Sequence, residues 1–185
     1  WWYNHASHTS VAWNWKGGGT ASSNTDGSVT TTVSANVDAG FSIIKYTGSG
    51  SGNITIGHGL SKAPEFWVTK PRTDVSDNQW FACHKDFATD YYTDFNHWDN
   101  NSAKQDSASR WGDTAPTSSV ITVGSASTNN SGDYICYAWH SVEGYSLVGS
   151  WIGNGNADGQ FVYTGFRPAY VLCKDLNNSQ GWQIF

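Results

Sequence analysis

Apolar and polar residues alternate in short runs along this chain, and helical periodicity is almost absent. The run 41–46, Phe-Ser-Ile-Ile-Lys-Tyr, alternates apolar and polar side chains in part, at a period near two, and the run 133–140, Asp-Tyr-Ile-Cys-Tyr-Ala-Trp-His, is a short continuous apolar run. That period is what a strand with one face on a core requires. Further runs rich in β-branched and aromatic residues predict strands at 10–15, 28–34, 53–56, 65–70, 79–84, 91–95, 120–123, 145–151, 160–163, 169–174 and 182–185. Gly, Asn, Ser and Asp clusters separate them at intervals of about 8–12 residues, the spacing of a sandwich or barrel. The Gly-Ser-Gly-Ser-Gly run at 48–52 and the Asn-Gly-Asn-Ala-Asp-Gly run at 154–159 are turn chemistry. Lys16-Gly17-Gly18-Gly19-Thr20 reads as a flexible connection.

The runs also repeat. Gly40-Phe41-Ser42-Ile43-Ile44 returns as Gly144-Tyr145-Ser146-Leu147-Val148, a displacement of 104 residues. Pro64 and the strand after it, Glu65-Phe66-Trp67-Val68-Thr69-Lys70, return at the same displacement as Pro168 and Ala169-Tyr170-Val171-Leu172-Cys173-Lys174. Trp80 finds a partner in Trp182 at a slightly shorter spacing. Upstream, Val11-Ala12-Trp13-Asn14-Trp15 echoes Ile135-Cys136-Tyr137-Ala138-Trp139, with about 20 extra residues between Trp15 and Gly40. The expectation is an all-β chain built from repeats of about 104 residues. Its parts are the end of a preceding repeat (1–39), a complete repeat (40–143) and the start of a following one (144–185). In arrays of this kind neighbours bury what one unit leaves exposed.

Composition sharpens this picture. Charged residues are 14% of the chain and aromatics 15%, with 11 Trp. Such a chain is not disordered; large rings fill thin β layers. The net charge of −5, with Lys and Arg scattered, argues against nucleic acid as a partner. No apolar run approaches the roughly 20 residues that cross a bilayer, so membrane insertion is not expected. The absence of Met and the opening Trp1-Trp2-Tyr3 read as a segment of a longer polypeptide. Cys83, Cys136 and Cys173 match neither a disulfide framework nor a zinc spacing and read as small buried hydrophobes.

Little of the remaining chemistry points to catalysis. His5 and His8 could offer two metal ligands, but no Cys or carboxylate lies near them in sequence. His58, between two glycines, reads as a turn residue. Asn154, Asn156 and Asp158 loosely match the opening of a calcium loop, yet its twelfth position is Gly165, so a glycine-rich hairpin turn is the better reading. Asp86, Asp90, Asp94 and Asp99 cluster in what reads as a solvated loop. There is no G-x-S-x-G elbow and no phosphate loop, and neither enzymatic activity nor a cofactor is expected. The stretch 86–111 mixes polar residues with rings: Tyr91, Tyr92, Phe95, His97, Trp98 and Trp111. Rings stack on the apolar faces of sugars, so Tyr91, Tyr92, His97, Trp98 and Trp111 form a candidate glycan site. The competing reading makes them core or subunit-contact rings.

The segments GFSIIKYTGSG, IGHGLSKAPEFWVTK, TAPTSSVITVGS, YICYAWHSVEGYSLVGSWIGNGNADGQFVYTGFRPAYVLCK and GWQIF together resemble a repeat of large structural proteins of marine tailed phages, those of cyanobacteria and pelagic bacteria among them. The resemblance runs from about Val11 to Phe185 and is most specific over 142–174. It implies a lectin-like antiparallel β-sandwich of the jelly-roll or concanavalin kind. It implies a virion-surface, extracellular role in a tail fibre or on the capsid. The expected partners are other virion proteins, copies of the same chain and host-surface glycan. A carbohydrate-binding module of a secreted adhesin or polysaccharide-active enzyme is the alternative.

Overall fold

Alternation in the sequence becomes a sheet with two apolar faces. The structure, a computed structural model, describes residues 14–73, 77–87 and 90–185, together with residues 7, 9 and 12. In chain order the described strands are β1 (Ser22–Asn24), β2 (Thr31–Asn36), β3 (Phe41–Gly48), β4 (Ile54–Gly57), β5 (Phe66–Pro71), β6 (Phe81–His84), β7 (Asp94–His97), β8 (Gln105–Asp106), β9 (Val120–Val123), β10 (Gly132–Trp139), β11 (Leu172–Cys173) and β12 (Gln183–Ile184). One turn of helix, α1 (Ala108–Trp111), precedes β9. Eight strands form one antiparallel sheet in the order β1-β2-β3-β10-β5-β6-β7-β8, while β4 pairs with β9 and β11 with β12. The chain is thus nearly all β, with a large antiparallel sheet.

Parity decides which side chain faces where. On β10, Tyr134, Cys136 and Ala138 point to a core shared with Ile54 and Ile56 of β4 and Ile121 and Val123 of β9. Ile44 and Tyr46 of β3 and Trp67 of β5 join them. The small side chains of Cys136 and Ala138 leave room for Trp67, which meets Trp111 edge-on at 5.3 Å. The rings of Tyr46 and Tyr134 stack at 5.0 Å. Their hydroxyls donate to the carbonyls of Thr128 and Ser127, at 2.6 and 3.0 Å, so the buried phenols are satisfied. Asn129 accepts the Ser49 N–H at 2.7 Å and donates to the Gly52 carbonyl at 2.8 Å, fixing the glycine-rich turn after β3.

The opposite face of the large sheet is apolar too. Phe41, Trp139 and Phe66 lie in one cross-strand row, and Ile43, Tyr137, Val68 and Ala82 in the next. Residues 144–185 lie against one end of this face, where Val148, Leu172 and Trp182 pack on Phe66, Val68 and Ala82. Glu65 anchors that contact. Its carboxylate accepts the Ser141 N–H at 2.6 Å and the Ser141 hydroxyl, whose oxygen accepts the Val148 N–H at 2.9 Å.

Several expectations change. The predicted strand at 91–95 begins three residues late, because Thr93 N–H and hydroxyl both bond the Asp90 carbonyl and close a 3-10 turn over Tyr91–Thr93. The predicted strands at 145–151 and 160–163 form no strand, since no described backbone is laid beside them to pair with. Residues Val142 and Ser146 close a tight turn instead. The predicted strand at 10–15 and the His5–His8 pair lie largely or wholly outside the described residues. Asp94 does not sit in a solvated loop: it is buried on β7 and pairs with Lys104 at 2.6 Å. Cys83 and Cys136 are buried thiols, whereas Cys173 is only half-buried. Among the described residues no helix is long and apolar enough to cross a membrane.

Candidate aromatic binding groove

The predicted glycan residues are divided by strand parity. Phe95 and His97 point to the core side of β7, where His97 meets Phe81 and Phe95 at 5.2 and 5.4 Å. Trp111 lies fully inside that core, and its indole N–H donates to the Asp94 carbonyl at 3.1 Å. Neither ring can reach a ligand outside, so both take the core role. Tyr92 is half-buried against the same core, with its hydroxyl donating to Asp90 at 3.3 Å. Tyr91 opens the 3-10 turn, and its side chain lies outside the described set. Trp98, one residue beyond β7, emerges on the opposite face.

There Trp98 meets rings that sequence reading assigned to no site. An open groove of about 570 Å³ runs over this face. Trp15, Trp80, Trp98 and Trp139 form its walls, Phe41, Ile43 and Tyr137 its floor. The rings are set in contact order: Trp80 stacks on Tyr137 at 6.2 Å and meets Trp98 edge-on at 6.2 Å. Phe41 packs on Trp139 at 5.1 Å, and Trp15 caps that pair at 6.0 Å from Trp139. Trp15 is 42% exposed, so one wall is open to solvent. The polar groups are Asn14 and Asp99. Asp99 accepts the Trp80 N–H at 3.2 Å, and Trp98 N–H donates to the Trp80 carbonyl at 3.0 Å. These two main-chain bonds fix residues 80 and 98 relative to each other. Among the described residues the lining includes no Lys or Arg, though Lys70 Nζ stands over the Trp80 ring, 6.0 Å from its centroid. One signal was present in the sequence: β10 is apolar at both parities, so the sheet face away from the core is apolar as well.

The other candidates resolve simply. In the 154–159 loop, Asn154 donates to the Asp158 carbonyl at 3.0 Å and accepts the Asn156 N–H at 3.0 Å. The loop therefore spends its amide groups on its own turn. Among the described residues no group of three His, Cys, Asp or Glu is placed to hold a metal ion. His58 is buried rather than exposed in a turn. It accepts the Leu60 N–H at Nδ1 (3.1 Å), which leaves Nε2–H to donate to the Thr117 carbonyl at 3.2 Å. Burial lowers its pKa, in keeping with a neutral ring that pins two loops together.

A family model for a domain of unknown function, DUF7483, matches residues 2–185. The chain belongs to the DUF7483 family. No curated protein and no solved structure matches it. The match covers the large sheet and its core, the groove and the 144–185 arm alike.

Proposed function

We propose that this DUF7483 chain is a non-enzymatic β-sandwich module of a virion structural protein of a tailed phage, and that its groove contacts host-surface glycan. The groove carries the reading. Four indoles and a tyrosine ring present flat apolar faces around an open channel, with Asn14 and Asp99 available to hydroxyls. An apolar pocket with a few convergent polar groups is the form small-ligand sites take. The channel carries one carboxylate, Asp99, and Lys70 Nζ stands 6.0 Å from the centroid of its Trp80 ring, a mixed polar edge that suits hydroxyl-rich neutral sugars.

The arm supports the tandem-copy part of the reading. In the large sheet β5 pairs with β6 through Val68↔Ala82 and Thr69↔Phe81. In the arm β11 pairs with β12 through Leu172↔Ile184 and Cys173↔Gln183. Leu172 and Cys173 stand 104 residues beyond Val68 and Thr69, and Ile184 and Gln183 stand 102 beyond Ala82 and Phe81. The two short pairings share a register, which supports the tandem-copy reading. Gly40 and Gly144, matched in sequence, both hold positive φ, at 62° and 71°. Repeated units suit a virion array, and the resemblance to phage structural repeats adds the location. The secreted carbohydrate-binding module is the second reading, favoured by the same groove, which needs no partner chain.

A glycan array followed by titration tests the groove. Neutral oligosaccharides should bind, and Trp80→Ala or Trp98→Ala should weaken them about tenfold or more, roughly 1.4 kcal/mol. No binding to any glycan, or binding indifferent to both substitutions, rejects it. Electron cryo-microscopy of intact particles decides the location: periodic density of this module on tail or capsid is expected. A soluble, particle-free protein that binds polysaccharide gives the second reading.

A further inference from the structure

Two of the indoles that wall the groove, Trp98 and Trp15, are backed by rings of the 144–185 arm. Trp182 packs on Phe66 and also lies against Trp98, ring to ring at 6.0 Å. Its indole N–H donates to the His97 carbonyl at 2.9 Å, one residue before Trp98. Trp98 is thus held twice: its backbone N–H bonds the Trp80 carbonyl, and its ring rests on Trp182. At the other wall, Tyr170 meets Trp15 edge-on at 5.6 Å, nearer than Trp139 at 6.0 Å or Phe41 at 6.4 Å. Neither Tyr170 nor Trp182 lines the groove itself.

The arm reaches these rings through contacts of its own. Leu172 and Val148 pack on Phe66, Val68 and Ala82. Glu65 ties the arm at Ser141, and the Leu176 carbonyl accepts the Lys104 N–H at 3.0 Å. None of Leu172, Glu65 and Lys104 is in the groove lining. Docking of the arm can therefore be altered without touching a residue that faces the ligand. An indole left without backing must be ordered when a ligand arrives, and that cost lowers affinity. Rings already fixed from behind avoid it.

We propose, on the glycan reading of the groove given above, that the arm belongs to the binding site. Trp182 and Tyr170 are positioning residues that set Trp98 and Trp15 for the sugar, and arm docking and sugar binding strengthen each other. Linkage makes the effect reciprocal: a docked arm tightens binding by about tenfold, and bound sugar stabilises the docked arm by the same factor.

The test uses the whole chain labelled with fluorotryptophan, its fluorine NMR signals assigned by single Trp-to-Phe replacements. Leu172→Asp sets a charge against Phe66 and Val68, and Glu65→Ala, added to it, frees the Ser141 end. Faster exchange of the Lys104 amide reports the undocking. The signals of Trp98 and Trp15 should then shift or broaden, while those of Trp67 and Trp111 stay in place and show that the core is folded. Trp182→Phe keeps a ring but loses the N–H donor, and should move Trp98 and not Trp15. Neutral hexasaccharides of glucose, mannose and galactose are the sugar probes. The undocked variant should bind them about tenfold more weakly, and saturating sugar should slow Lys104 exchange in the unaltered chain. Trp98 and Trp15 signals that ignore undocking overturn the proposal, and so does an affinity that undocking leaves unchanged. Failure of the glycan reading looks different: no hexasaccharide binds the unaltered chain, yet both signals still move on undocking. The sugar linkage then falls with that reading, and the positioning of the two indoles by the arm stands.

Discussion

At the residue scale, environment assigns different work to chemically similar rings. Trp111 and Trp98 both looked like sugar platforms, yet one is sealed against Trp67 and the other lines the groove. Trp111→Ala should therefore cost about 3–5 kcal/mol in denaturant unfolding. Trp98→Ala should cost less stability and more glycan affinity, read by titration on the same samples. Two histidines make the fold acid-sensitive. Burial drives the His84 pKa down to about 4, and it lowers His58 as well. His84 lies between Phe66 and Phe87 and accepts the Asp86 N–H at Nδ1; Asp86 and Glu65 oppose the shift and Lys85 adds to it. Both groups are bases with depressed folded values, so between about pH 6.5 and 4 the unfolded chain takes up protons the fold refuses. Stability should fall as pH drops through that window. Melting temperature against pH measures it, and His84→Gln should flatten the slope there.

At the scale of elements, the connections between strands carry as much of the specification as the strands. Gly40 enters β3 at positive φ, and a methyl group there would stand 2.6 Å from the His140 carbonyl. Gly40→Ala should cost about 2 kcal/mol or more, combining the left-handed penalty with that clash. Gly144→Ala meets nothing within 4 Å and should leave the main unfolding transition almost unchanged. Paired melts of the two variants read the difference directly. The strand runs at 41–46, 65–70, 120–123 and 133–140 were legible because short apolar runs, β-branched or aromatic residues and flanking turns agree there. The short β1 and β8 were not, since Ser22-Ser23-Asn24 and Gln105-Asp106 carry no apolar pattern and are strands only because β2 and β7 offer an edge.

For the whole molecule, order should grade from the central strands outward. β10 is flanked by β3 and β5 and buries one face in the core, so its amides should exchange near the global limit. The stretch 149–165, exposed and outside any strand, should exchange fastest, and Glu65→Ala should speed exchange at Val148 by releasing the Ser141 link. Exchange mapped by mass spectrometry checks both. The sequence alone determined that the chain is β and where the turns beside its central strands fall. These depend on short apolar runs and on local turn chemistry. Only tertiary structure decided which rings are core and which line the groove. That choice follows from strand parity and from which strand lies beside which: one step from His97 to Trp98 reverses the face, and β10 crosses the molecule to lie between β3 and β5.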